Sequence, residues 1–342
     1  DISSQLHIIR NWVHTNDDIT HEQRLKWHKP LLDIAKTNNL LVDEAISLTN
    51  ITKIYDRLGE FDSSLKAINK VQQIWQELSA DDNKYYHELI IAYCDQAVTL
   101  RLQSRIDLAL STLYKGYELI KYNGLKNKEA FIILLSDLGI IYKQILDYPA
   151  ALNSFNESLK LINESSIPED YIQNKILCHI NIGNVQKESS NLDLACMEFD
   201  TAINVILDQN NYSQYFIIAN INLGQTLIDL KKYEDALLIY DKAMKVCKKS
   251  GSDMDLGFIL ILMAEAHFNL SNMPQFDKYI KKGKKLIDKV AYPNDKLFLN
   301  RLLSRSYILK GDNKKGISLL QQSLDICKKH KMSKHLLETY KA

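Results

Sequence analysis

The sequence is poor in the two residues that interrupt α-helices. Its 342 residues include only 5 prolines and 11 glycines, and these residues are the least compatible with a helix interior. It also lacks any apolar run close to the ~20 residues that a membrane-spanning helix requires. These absences together predict a helical protein that has no membrane partner.

Cysteine is scarce as well, and its few copies lie far apart along the chain. The 5 residues are Cys94, Cys178, Cys196, Cys247 and Cys327. An odd, unclustered set is not the pattern of a disulfide framework, and it favours a reducing compartment. We therefore predict a cytoplasmic location.

The motifs that carry enzyme chemistry are missing too. The sequence contains no GxxxxGK[ST] phosphate loop, GxSxG elbow, HExxH helix or CxxC pair. His7, His14, His21 and His28 recur every seven residues, but metal sites usually use closer pairs, and the polar stretch 15–20 is expected to break the helix between them. We predict no catalytic residue, no metal site and no cofactor, and hence a protein that is not an enzyme.

The chain does contain a recurring position that is usually occupied by a small residue, with intervals of 45, 42, 44, 41, 40 and 40 residues between its seven copies. Repetition at such a period is the signature of a solenoid, in which each unit stacks on its neighbours. The seven positions are Ser64, Ala109, Ala151, Ala195, Ala236, Phe276 and Gly316. Only Phe276 is large, and a bulky side chain there is expected to splay its helix pair or shift its register.

Three successive copies of a longer pattern surround these positions, with identical spacing. Apolar residues at i, i+3 and i+4 predict two helices with one buried stripe each. The glycine and the small residue are expected to let the two helices approach closely, while the large residue fills the space between repeats. The copies are Leu138-Gly139 with Tyr142, Ala151, Phe155 and Ser158; Ile182-Gly183 with Gln186, Ala195, Phe199 and Ala202; and Leu223-Gly224 with Leu227, Ala236, Tyr240 and Ala243.

This pattern resembles that of the tetratricopeptide repeat family, over roughly residues 46–330. The resemblance implies an all-α, right-handed superhelical solenoid of about seven helix pairs. Residues 1–45 are expected to form N-terminal cap helices or a degenerate repeat, and residues 331–342 the start of a further, truncated helix. A period near 40 resembles the long repeats of bacterial regulator and sensor proteins.

The resemblance also implies a ligand face, because helix A of each pair lines the concave groove in this family. A side-chain amide offers a donor and an acceptor together, which suits the backbone of an extended peptide. An alternative is that Asn181 and Asn222 tie adjacent helices together by hydrogen bonds. The predicted groove residues are Arg101, Asp137, Lys143, Asn181, Asn184, Lys187, Asn222, Gln225 and Arg305, and Asn50, Asp95 and Glu265 occupy equivalent positions.

Charge is unevenly divided along the chain. Residues 231–342 hold 23 Lys and Arg against 12 Asp and Glu, whereas residues 1–230 hold 20 against 30. The stretch Lys278–Lys289 is the most basic and could dock an acidic partner. Nucleic acid is the less favoured partner, because these lysines show no regular interleaving with aromatic residues, Tyr279 being the one aromatic residue of the stretch, and no reading helix accompanies them.

We therefore expect a scaffold whose groove captures a peptide or partner segment, as the sensory or regulatory part of a larger bacterial signalling protein. One alternative is a standalone adaptor that bridges two proteins through its acidic and basic halves. Another is a nucleic-acid-associated repeat protein.

Overall fold

The computed structural model describes residues 1–15, 19–123, 128–165, 168–209, 212–289 and 293–329. These residues form sixteen α-helices and two short 3₁₀ turns, with no β-strand among them. None of the described helices is long and apolar enough to cross a bilayer. The predicted further helix at 331–342 lies outside the described residues, as does the side chain of His14.

The chain divides into two compact units, an N-terminal unit Asp1–Asn181 and a C-terminal unit Ile182–Ala342. The N-terminal unit holds the helices α1 Ile2–Thr15, α2 His21–Thr37, α3 Leu41–Leu58, α4 Phe61–Asp81, α5 Tyr86–Leu102, α6 Ile106–Asn123, α7 Lys128–Gln144 and α8 Tyr148–Asn163. Helix α9, Ile172–Glu188, starts in the N-terminal unit and ends in the C-terminal one. The C-terminal unit continues with α10 Leu192–Leu207, α11 Ser213–Asp229, α12 Tyr233–Ser250, α13 Asp253–Asn269, α14 Met273–Ile287, α15 Pro293–Leu309 and α16 Asn313–Lys329.

The seven predicted repeats are the consecutive pairs from α3/α4 to α15/α16. We call the first helix of each pair the A helix and the second the B helix. In both units neighbouring A helices also contact each other, as α5 does with α7 and α11 with α13. The predicted all-α fold of repeated helix pairs, a tetratricopeptide-like helical solenoid, is confirmed.

In three of the pairs a glycine of helix A lies directly against a ring of helix B. A Cβ atom added to Gly139 or Gly183 would lie 2.6 Å from the ring of Phe155 or Phe199 respectively. Gly224 faces Tyr240 in the same way. The Tyr240 ring also packs with residues of α13, the next A helix. The ring therefore joins the two helices of its own pair and fills the space towards the next pair.

Each pair turns from helix A to helix B through one residue with left-handed backbone geometry. This residue always lies five positions before the recurring small residue, and the next amide donates a hydrogen bond that closes the end of helix A, as from Lys232 N to Leu227 O at 2.8 Å. Such a turn satisfies carbonyls that would otherwise have no partner at the helix end. The seven turn residues are Gly59, Ser104, Leu146, Ser190, Lys231, Ser271 and Gly311.

Phe276 does not splay its helix pair, so that part of the expectation is wrong. Its side chain is only 1% exposed, and its ring lies 5.4 Å from the ring of Phe268. The helices α13 and α14 contact each other as extensively as those of any other pair. In this pair Ile280 takes the position that carries a ring in the pairs α7/α8 to α11/α12, and Gly283 takes the second small position, so smaller neighbours offset part of the extra volume of Phe276.

The N-terminal helix α1 is held to α3 by a buried ion pair that the sequence pattern does not reveal. Arg10 Nη2 lies 2.6 Å from Asp43 Oδ1, and the two side chains are 5% and 6% exposed. Arg10 also donates to Ser47 Oγ (3.2 Å), and Ser3 Oγ donates to the second Asp43 oxygen (2.7 Å). Breaking a buried pair of this kind leaves an uncompensated charge, so it fixes the position of α1.

The contact between Gly183 and Phe199 generates a prediction for stability. We expect Gly183→Ala to lower the free energy of unfolding by roughly 1–3 kcal/mol, because overpacking outweighs the better helix propensity of alanine. Urea unfolding followed by circular dichroism measures this change. Adding Phe199→Leu should recover part of the loss; if the double variant is less stable by the sum of the two single effects, the ring is not what excludes a Cβ at residue 183.

Candidate functional site

In the C-terminal unit the predicted amide residues lie on A helices with their side chains unpaired. Asn184 is on the last part of α9, and Asn222 and Gln225 are on α11, all half-buried. Among the described residues no side-chain hydrogen bond is formed by any of the three. Their donors and acceptors are therefore available to a ligand.

The alternative role as interhelical ties is not supported by these contacts. Neither Asn181 nor Asn222 donates or accepts a side-chain hydrogen bond within the described part of the chain. The asparagine of α11 that does bond through its side chain is Asn220, which donates to Phe216 O at 2.7 Å on its own helix. No helix is tied to its neighbour by Asn181 or Asn222.

Charged side chains line the same helices of the C-terminal unit. Lys187 Nζ lies 3.4 Å from Asp229 Oδ2, which joins α9 to α11. Glu265 on α13 is half-buried, and desolvation raises its pKa; Arg305 and, more weakly, Lys187 act in the opposite direction. Lys187 is therefore paired rather than free, and Asp229 is a member of the face that the sequence analysis missed. The spacing in the sequence could have revealed Asp229, because it follows Asn222 by seven residues and so lies on the same side of α11.

Arg305 is the exposed member of this group. Its guanidinium carbon lies 5.2 Å from the centre of the Phe268 ring, a distance at which the cation is attracted to the face of the ring. The stacking holds Arg305 over α13 with its N–H groups free to bind a carboxylate.

In the N-terminal unit three carboxylates follow one another on successive A helices. Asp56 on α3 accepts a hydrogen bond from Thr99 Oγ1 (2.9 Å), whose oxygen also lies 3.2 Å from Ser64 Oγ. Asp95 on α5 has a buried oxygen, Oδ2, that has no hydrogen-bond partner in the described structure. Asp137 on α7 interacts with the Cys94 thiol of α5 and with Asp95.

Burial is the main influence on the pKa values of these three carboxylates. Desolvation, with the neighbouring charge of Asp95, raises the pKa of Asp137 to about 7, although Arg101 and the Cys94 thiol act in the opposite direction. Desolvation also raises the pKa of Asp95 and of Asp56. At neutral pH Asp137 is thus partly protonated and is a weak attractor for a cationic ligand.

The remaining predicted residues of this unit are half-buried on their A helices. Arg101 lies close enough to Asp137 to affect its pKa. Lys143 on α7 has no ion-pair partner among the described residues. No three His, Cys, Asp or Glu side chains of the described chain converge where a metal ion could be held.

The raised pKa of Asp137 generates a prediction for stability against pH. Between about pH 4 and pH 7 the folded chain keeps this proton while the unfolded chain loses it, so stability falls as the pH rises through this window. We expect Asp137→Asn to be more stable than the parent chain by on the order of 1–2 kcal/mol at pH 8, with the difference vanishing near pH 4. Thermal unfolding across this range measures the effect. The exposed Asp107→Asn serves as the matched control, and an equal pH dependence in both variants would assign the effect to general charge.

Comparison with known proteins agrees with this architecture. The sequence model described as tetratricopeptide repeat matches residues 221–250, which span the second half of α11 and all of α12. No curated protein matches the sequence.

Three solved structures illustrate the similarity of fold. The signal transduction ATPase PH0952 from Pyrococcus horikoshii, which has a tetratricopeptide repeat sensor, is 15% identical with a TM-score of 0.65, over 98% of this chain and 50% of that one. The apo form of RapI is 16% identical with a TM-score of 0.60, over 71% of this chain and 84% of that one. NprR in complex with its cognate peptide NprX is 16% identical with a TM-score of 0.54, over 95% and 88%. The resemblance to the tetratricopeptide repeat family that the residue pattern indicates is confirmed by the repeat at 221–250 and by the fold.

Proposed function

We propose that the chain is a binding scaffold whose C-terminal unit captures an extended peptide or partner segment along its A helices. The observation that carries this proposal is the set of unpaired amides of Asn184, Asn222 and Gln225. An extended peptide exposes alternating N–H and C=O groups, and a side-chain amide can bind both.

The charged groups beside these amides give the proposed ligand a preferred chemistry. Arg305 is exposed, and Arg301 lies one helical turn before it on α15. Lys187 is already paired with Asp229. An acidic side chain or a terminal carboxylate of the ligand is therefore expected at α15.

The similar structures support a regulatory role. NprR was solved with its cognate peptide, and a Rap protein of TM-score 0.61 was solved with competence and sporulation factor. In PH0952, 50% of the chain corresponds to this one, and that protein carries its repeats as a sensor. By analogy we propose a cytoplasmic, non-enzymatic sensory part of a larger bacterial signalling protein.

The proposal predicts that the amides are needed for binding but not for folding. A random octapeptide library displayed on phage is selected against the chain, and the recovered peptide is labelled with fluorescein. We expect Asn184→Ala with Asn222→Ala to weaken its binding at least tenfold, from the loss of about two hydrogen bonds, with a melting temperature within about 2 °C of the parent.

Asn204→Ala, an exposed asparagine on the B helix α10, is the matched control and should bind as the parent does. The proposal fails if the selection recovers no peptide, or if the double variant binds the recovered peptide as tightly as the control.

A second candidate, the adaptor function, is favoured by a cleft on the B helices of the C-terminal unit. A cavity of about 380 Å³ lies between α12 and α14, with Leu256 and Leu260 of α13 among its apolar lining residues. Four lysines surround it: Lys248, Lys278, Lys282 and Lys285. Cations around an apolar floor suit an acidic amphipathic segment of a partner protein.

This candidate makes a separate prediction. The probe is an amphipathic helical peptide of glutamate and leucine, with a version in which serine replaces leucine. We expect Lys282→Glu with Lys285→Glu to weaken binding of the leucine peptide at least fivefold in fluorescence anisotropy, because both lysines line the cleft. Lys281→Glu with Lys284→Glu is the control, because these lysines are on the same helix but outside the cleft lining, and it should weaken binding less. If both double variants weaken binding equally, or if the serine peptide binds as tightly as the leucine peptide, the cause is general attraction to basic charge.

A further inference from the structure

The N-terminal unit contains a cavity of about 330 Å³ on the side of its A helices, between α3 and α5. This volume is at the lower end of the range for small-molecule sites. Much of its lining is apolar, as at Val42, Ile91 and Ala92, and two aromatic residues complete it, Trp75 and Tyr85. Their rings stack with centroids 5.7 Å apart, and Trp75 is only 4% exposed.

Three of the lining side chains carry a buried polar atom that has no hydrogen-bond partner in the described structure. The atoms are Glu88 Oε2, His87 Nδ1 and Asp95 Oδ2. Both carboxylate oxygens are acceptors. We assign the proton of the neutral His87 ring to Nε2, the nitrogen that faces Glu129, so that Nδ1 is an acceptor as well. Each buried acceptor left unsatisfied costs about 1–3 kcal/mol. The cavity therefore has apolar walls and three polar atoms to which no donor of the described chain is bonded.

The chain does not supply those donors itself. His87 is oriented by its other nitrogen, since Nε2 lies 3.7 Å from Glu129 Oε2. Lys53 affects the pKa of Asp95 through its charge, but it forms no ion pair with that carboxylate within the described residues. Asn50, one of the expected groove residues, lines the same cavity and also makes no side-chain hydrogen bond there.

The spacing of the acceptors defines the shape of a complementary ligand. Glu88 and Asp95 are seven residues apart on α5, so they lie on the same face about 10 Å apart along its axis. Ile91 and Ala92 fall between them and contribute apolar lining. A ligand that satisfies both ends needs a donor-rich cation at each end and a flexible aliphatic chain between.

We propose that this cavity is a binding site for a linear alkyl diamine or triamine. One ammonium group binds Glu88 and His87 Nδ1, and the other binds Asp95. An ammonium group has three donors and no acceptor, which is what the three unsatisfied atoms require, and the methylene chain packs against Trp75 and Ile91. The site lies within the N-terminal unit and does not depend on peptide binding by the C-terminal unit.

The test follows the indole N–H signals of the chain by ¹H–¹⁵N NMR during titration with putrescine, cadaverine and spermidine at physiological salt. The three tryptophans are Trp12, Trp27 and Trp75, and Trp75→Phe identifies the signal from the cavity. We expect the Trp75 signal alone to move in a saturable way, most tightly with cadaverine or spermidine, while the other two stay in place.

Four controls separate this site from general attraction between amines and an acidic surface. Glu88→Gln and Asp95→Asn keep the shape of each side chain, remove the charge, and should each weaken binding at least tenfold. Glu118→Gln, on the exposed face of α6, should leave binding unchanged. Pentylamine has the chain length of cadaverine but a single ammonium group, and should bind at least tenfold more weakly than cadaverine.

The proposal is overturned if no amine moves the Trp75 signal at millimolar concentration, which would mean that water alone satisfies the three acceptors. It is equally overturned if pentylamine binds as tightly as cadaverine, or if Glu118→Gln weakens binding as much as Glu88→Gln does. An acetylated, amidated Lys-Lys dipeptide that binds more tightly than any free amine would assign the cavity to a peptide side chain and would also contradict the proposal.

Discussion

The fold depends on how closely the A and B helices of a pair can approach each other. In three pairs this close approach is possible because a glycine of helix A has no Cβ atom. At Gly139, Gly183 and Gly224 the ring of helix B lies against the bare backbone of helix A. The ring then reaches the next pair, so one contact fixes both the geometry within a repeat and the stacking of repeats. The faces that carry Asn222 and Asp95 take their positions from this packing.

Much of the fold could be predicted from the sequence because this contact recurs at a fixed spacing. The prediction failed at Phe276, where the sequence rule judges each position alone whereas packing depends on the summed volume of the positions that face each other. The ion pair between Arg10 and Asp43 could not be predicted, because a single contact between helices far apart in sequence leaves no periodic signal. The rings and small residues of the solenoid, by contrast, are repeated several times over.

The functional faces were only partly predictable, for an electrostatic reason. The place of a residue in the repeat pattern identifies which side of helix A it occupies. By this rule Asn222 and Asp137 were placed on A helices, where both are half-buried. The rule does not tell whether the group is already satisfied. Lys187 is neutralised by Asp229, and Asp137 shares a desolvated environment with Asp95 that favours its protonated form. Only three-dimensional neighbours distinguish a free hydrogen-bonding group from an occupied one.

The altered set of side chains in the pair α13/α14 has a consequence for how such a chain can change. Phe276 and Ile280 pack against α13 in one cluster with Ala264, and Gly283 lies close to Ile261 of that helix. We therefore expect each helix of this pair to fit its own partner better than the helices of other pairs. Recombination that moved a single helix between repeats would therefore create a clash on one side and a void on the other. The unit that can be exchanged is the whole helix pair, so duplications in this protein are expected to copy each A helix together with its own B helix.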